Sequence, residues 1–171
     1  MARSRGARTG HSKAGAAFTE LVLETFRLNG RLVLAGDRLT RDIGLTSARW
    51  QVLGTLRKPQ APLTVATIAR NMGMQRQSVQ RTVNLLVAEG LASLVENPRH
   101  RRAKLVALTA KGHASVHKVG LLQVEWANDI AKGMDAGELQ AAVLIMRKLR
   151  QRLGDRFATA PDWRVPSLDL T

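Results

Sequence analysis

Between residues 64 and 108 the apolar spacing switches from helical to extended within one uninterrupted stretch, and this constrains the fold more than any other feature. Thr64 is a capping residue, the run 64–72 has helical spacing, and Gly73 fits a C-cap. A second helical run covers 75–89, with Val79, Val83 and Leu86 on one face and Gly90 behind it. The tight turn at Gly73 lets this second helix project outward. Helical spacing then stops. Two short apolar-rich runs, 91–96 and 103–108, are split by Asn97-Pro98-Arg99-His100-Arg101-Arg102, the pattern of a two-stranded hairpin with a long basic tip.

The polar residues of this stretch are as selective as its apolar ones. The face of the second helix away from Val79, Val83 and Leu86 carries Gln77, Gln80, Arg81 and Asn84, with Gln75, Arg76 and Ser78 near its start. No acid occurs from 75 to 88. An ordinary solvated helix face mixes Glu with Lys. Gln and Arg instead make two-point contacts with the adenine and guanine edges of the major groove. The hairpin tip crowds Arg99, His100, Arg101 and Arg102 next to Lys104, a density of charge that folding alone does not favour. Beside a reading helix, such a tip can clamp phosphates or enter the flanking minor groove.

The charge of the whole chain agrees. Lys and Arg number 27 against 13 Asp and Glu, a formal charge of +14, which points to a polyanionic partner. Residues 61–104 hold seven basic side chains against two acidic, and residues 1–13 hold four (Arg3, Arg5, Arg8 and Lys13) against none.

Helical patterns flank the reader. Over 14–40, Phe18, Leu21, Val22, Leu28, Leu32 and Ala35 recur at helical steps. Gly30 and Gly36 each weaken that helix by up to about 1 kcal/mol, so something must pack on it. Thr46 is a plausible N-cap for a short helix over 47–57, ended by Lys58-Pro59. Thr109 caps a long helix over 110–132, followed by Gly133. Asp135 opens a last helix to Leu153, with Leu139, Val143, Met146, Leu149 and Leu153 in one seam. The expected layout is a basic flexible arm (1–13), a dimerisation helix (14–44), a DNA-binding region (45–109), further dimerisation helices (110–153) and an extended tail (154–171). The fold class is mainly α with a small β-hairpin wing: a winged helix-turn-helix with N- and C-terminal dimerisation helices. Phe18, Leu21, Val22, Leu139, Val143, Met146, Leu149 and Leu153 are the expected dimer contacts. One small reader cannot cover both stripes, and a two-fold partner can.

Several classes of function fall away. With Cys absent there is no thiol nucleophile, no disulfide scaffold and no cysteine-ligated zinc site. No phosphate-binding loop, G-x-G-x-x-G, H-E-x-x-H or G-x-S-x-G motif occurs, so an enzyme is not expected. No run approaches the length of a membrane span, and no signal-peptide core follows the basic start, which makes the cytoplasm the expected compartment. A basic membrane-surface protein would line one helix face with charge, whereas here charge gathers on a helix and a hairpin tip. His113 and His117 stand at a spacing that can bind zinc, but further ligands would have to come from Asp or Glu elsewhere. The preferred reading is two surface histidines, with no cofactor or metal. Trp50 and Trp126 could stack on an aromatic ligand, and core packing is the preferred reading for both.

The residues also resemble a known family. Leu45-Thr46-Ser47-Ala48-Arg49-Trp50-Gln51-Val52-Leu53, Leu63-Thr64-Val65-Ala66-Thr67-Ile68-Ala69-Arg70 and Gln77-Ser78-Val79-Gln80-Arg81 resemble the MarR (multiple antibiotic resistance regulator) family. So do Leu85-Leu86-Val87-Ala88-Glu89-Gly90-Leu91 and the wing with its Leu108-Thr109-Ala110-Lys111-Gly112 run. The resemblance covers about residues 18–153. It implies a homodimeric bacterial transcription factor, usually a repressor of nearby genes. Its dimer interface comes from the first and last helices, and small aromatic ligands often release the DNA. Two positions depart from the family. His100 stands where an Asp commonly steadies the wing arginine corresponding to Arg102, and Gln75 stands where Ser would cap the recognition helix. The expected DNA contacts are Gln75, Arg76, Gln77, Ser78, Gln80 and Arg81 on the helix, with Arg99, His100, Arg101 and Arg102 on the wing. The expected partners are double-stranded DNA carrying a pseudo-palindromic operator, a second copy of the chain, and a small aromatic effector. The alternatives are a DNA-organising protein with weak sequence preference and, less favoured, a basic membrane-surface protein.

Overall fold

A computed structural model describes residues 10–57, 62–100 and 102–159. Residues 1–9 of the expected arm, the Lys58-Pro59 stop, Arg101 and the tail from 160 lie outside the described residues. The chain divides into two compact units, Met1–Trp126 and Ala127–Thr171.

The first unit opens with α1 (Lys13–Thr40). Ser12 caps it by accepting a bond of 3.0 Å from the Gly15 amide. Lys13, expected in the arm, is already the first helical residue. A 3-10 turn, Arg41–Ile43, leads through Gly44, at φ 72°, to α2 (Ser47–Leu56). What packs on Gly36 is the start of α2. A Cβ on Gly36 would lie 2.7 Å from Ser47 Oγ, so the two helices meet where only glycine fits. Beside that contact, buried Thr40 shares its hydroxyl proton between the carbonyls of Gly36 (2.9 Å) and Leu45 (2.8 Å).

Thr46 occupies the N-cap position of α2 as expected, yet its side chain makes no capping bond. The acceptor comes instead from α1, where Asp37 Oδ1 takes the Ser47 amide at 2.6 Å. A carboxylate at a helix start also complements the positive end of its dipole.

β1 (Leu63–Thr64) precedes α3 (Val65–Met72), and Thr64 caps α3 by accepting from the Thr67 amide at 3.2 Å. Gly73 follows at φ 65°, its amide bonded to the carbonyls of Ala69 and Arg70. α4 (Arg76–Ala88) then buries Val79, Val83 and Leu86 completely. Gln75 is the N-cap residue rather than a helical one, and it makes no side-chain capping bond. Gly90, at φ 70°, turns the chain into β2 (Ala92–Val95), which pairs antiparallel with β3 (Leu105–Leu108).

The sheet has three strands, in the order β1-β3-β2, where the sequence predicted two. Leu63 opposite Val106 and Thr64 opposite Leu105 make up the added pairing. A strand of two residues is too short to show the alternation from which strands are read. Val106 faces a core shared with Leu53, Ile68, Val79, Val83 and Leu86, each at 0% exposure. α5 (Ala110–Ile130) adds Val116 and Val119 to it.

In the second unit, α5 stops at Ile130, two residues earlier than expected, and Gly133 (φ 80°) closes the turn behind it. Asp135 caps α6 (Ala136–Thr159) by accepting from the Glu138 amide at 2.9 Å. The expectation of an extended chain from Gly154 is corrected for 154–159, which are helical. A glycine inside a helix costs up to about 1 kcal/mol, which is too little to end this one. Among the described residues, no helix is long and apolar enough to cross a membrane.

Candidate nucleic-acid interface

α4 carries its polar residues where the sequence put them. Arg76, Gln77, Arg81 and Asn84 are exposed, while Ser78 and Gln80 are half-buried. Arg76, Gln77, Gln80 and Arg81 line one open concavity of about 670 Å³. Gln80 Nε2 donates to Asn84 Oδ1 at 2.9 Å, which makes Asn84 part of the site although it was not among the expected contacts. Its signal was the i, i+4 spacing of two amides on the exposed arc. Thr82 Oγ1 donates back to the Ser78 carbonyl at 3.2 Å.

The wing tip is held by its backbone. Asn97 Oδ1 accepts from the Arg99 amide at 3.0 Å, and the Asn97 carbonyl accepts from the His100 amide at 3.1 Å. The His100 carbonyl in turn accepts from the Ala103 amide at 3.0 Å. Asn97 thus supplies the local turn that folds the tip. Arg99, His100 and Arg102 are exposed, and Arg101 lies outside the described residues. Among the described residues the ion pairs are Arg27–Glu24 and Arg49–Glu89, so Arg76, Arg81, Arg99 and Arg102 enter none.

Contacts distant in sequence fix the far end of α4. Arg49 of α2 pairs with the Glu89 carboxylate at 2.9 Å. Lys111 Nζ donates to the Glu89 carbonyl at 2.9 Å, and Thr109 Oγ1 donates to the Gly90 carbonyl at 2.7 Å. Thr109 Oγ1 also accepts the Gly112 amide at 3.0 Å, capping α5 as expected. A Cβ on Gly112 would overlap the Leu91 carbonyl oxygen, so α5 can begin this close to the end of α4 only with glycine there. The Leu-Thr-x-x-Gly run is therefore a clamp that fixes the direction of α4.

A half-open crevice of about 620 Å³ between α2 and α5 is lined by Leu45, Trp50, Leu53, Met72, Val116 and Val119, with Gln51, Thr55, Arg57 and Gln123 as its polar groups. Trp50 also borders a second cavity of about 360 Å³, which reaches Trp126. Half-buried Trp50 packs against the core as expected, but its buried Nε1 has no hydrogen-bond partner among the described residues. His113 and His117 are exposed and share a shallow cavity with Arg57. A neighbouring guanidinium disfavours a metal cation there. Among the described residues, no group of three or more candidate ligands comes together.

Comparison with known proteins bears on the family and the fold. The model of the MarR family matches residues 43–103, from the end of the 3-10 turn to the wing. An uncharacterized protein of Mycobacterium tuberculosis is 36% identical over 129 residues, covering 75% of this chain and 89% of that protein. The transcriptional activatory protein BadR of Rhodopseudomonas palustris is 29% identical over 94 residues, 54% of each chain. Among solved structures, the M. tuberculosis transcriptional regulator MosR in complex with DNA superposes with a TM-score of 0.65 at 22% identity, covering 77% of this chain and 96% of that one.

Proposed function

The chain belongs to the MarR family of transcriptional regulators, and from that premise we propose that it binds an inverted-repeat operator as a homodimer. It acts there as a repressor that a small aromatic ligand releases. The observation that carries the DNA reading is the acid-free face of α4, where Gln77 and Arg81 are exposed and pair with no other side chain among the described residues. Side chains that fold into no internal pairing, and that match base edges in their donors and acceptors, serve a ligand outside the chain. The apolar stripes of α1 and α6 support the homodimer. The crevice beside Trp50 supports the effector, since about 620 Å³ falls within the range of small-molecule sites.

Selection of duplexes from a random pool by the full chain tests the proposal. Expected is an inverted repeat whose half-sites lie about one helical turn apart, roughly 10–10.5 base pairs. Enrichment of no sequence, with tight binding to every duplex, would instead favour a DNA-organising protein.

A further inference from the structure

We propose that Gln80 reads an adenine and that Asn84 is the positioning residue that makes it do so; this rests on the DNA-reading function above. A carboxamide presents two N–H donors on one end and an acceptor oxygen on the other. Its terminal torsion is broad and roughly two-fold, so a free glutamine offers its ends in either order. In α4 that freedom is removed. Gln80 Nε2 donates to Asn84 Oδ1 one turn on, at 2.9 Å, and Gln80 is half-buried. One N–H is spent on Asn84. What remains at the edge of the concavity shared with Arg76, Gln77 and Arg81 is one donor beside one acceptor, in a fixed order.

Only one purine edge matches that pair. In the major groove adenine presents an acceptor at N7 and a donor at N6, whereas guanine presents acceptors at both N7 and O6. Two acceptors call for two donors, and Gln80 has one left. Gln77 shares the concavity without such a partner among the described residues, so the assignment is made for Gln80 alone.

The test uses the full chain on its selected operator, with each base pair of a half-site replaced in turn. Gln80→Ala locates the base pair, by abolishing preference at one position. There the native chain is expected to favour A·T over G·C by on the order of tenfold or more. Asn84→Ala should cut that ratio several-fold at the same position, leaving the thermal midpoint unchanged. Asn84→Asp keeps the acceptor and so keeps the ratio, while its added negative charge weakens binding to every duplex. A guanine at the position Gln80→Ala identifies, an unchanged ratio in Asn84→Ala, or a change at a different base pair would each overturn the inference. A native chain with no preferred sequence would sink the function itself. A native operator with any of those three results sinks only the roles given to Gln80 and Asn84.

Discussion

Gly112 shows how much a single atom decides in this chain. Its Cα passes so close to the Leu91 carbonyl oxygen that an added methyl would overlap backbone, and backbone cannot swing aside as a long side chain can. Gly112→Ala should therefore destabilise the protein by roughly 2 kcal/mol or more, as overpacking does elsewhere. In a chain of this length that lowers the melting midpoint by about 4–8 °C, read by circular dichroism. An unchanged midpoint would mean that α5 can slide away from β2 at little cost. Arg81 belongs to the same scale but to the other end of α4. Exposed and in no ion pair among the described residues, it contributes little to folding. Arg81→Ala should weaken operator binding by roughly 1–3 kcal/mol and relax preference at one base pair. Equal losses on operator and random duplexes would show a phosphate contact instead.

The wing is best judged as an element. Its tip is shaped by Asn97 and by main-chain bonds of His100, and the exposed Arg99 and Arg102 enter no ion pair among the described residues. Replacing Arg99 and Arg102 together by Ala should leave the fold intact and flatten the dependence of log affinity on log salt, by around one unit for each phosphate that is no longer neutralised. An unaltered slope would take the wing out of the interface. What was legible at this scale follows from the range of each interaction. The caps at Thr64, Thr109 and Asp135, the glycine after α3 and the buried face of α4 are local, and the sequence displays them within a few positions. The acceptor that caps α2 is Asp37, ten residues away on another helix, and no local pattern marks it. β1 acquires its identity only by pairing with β3, more than forty residues further on. On α4, by contrast, the acid-free arc was legible because charge composition is local, while the Gln80–Asn84 bond needed coordinates.

At the scale of the whole molecule the question is what covers the apolar residues that folding leaves in water. In the first unit α1 leaves Phe18 at 39% exposure and Phe26 at 68%, while Leu21 and Val22, expected in the same stripe, are half-buried. In the second unit Leu139, Val143, Met146 and Leu153 are exposed, and Leu149 is half-buried. Apolar surface on this scale marks an interaction site in a soluble protein. In the homodimer proposed above a second copy of the chain covers this surface, and it would also let a single short α4 gain affinity. Two-fold symmetry presents two copies of α4 to successive major grooves, about 34–36 Å apart. Light scattering at micromolar concentration should then give about twice the chain mass of 18.7 kDa. Val143→Arg combined with Met146→Glu puts two charges where apolar surface would be desolvated, which costs far more than the apolar packing they replace. That variant should scatter as a monomer and lose operator binding in the same experiment, because half a site held by one α4 is weak. A variant that stays dimeric would move the interface off α6, and a native monomer that binds the full operator tightly would remove the two-fold altogether.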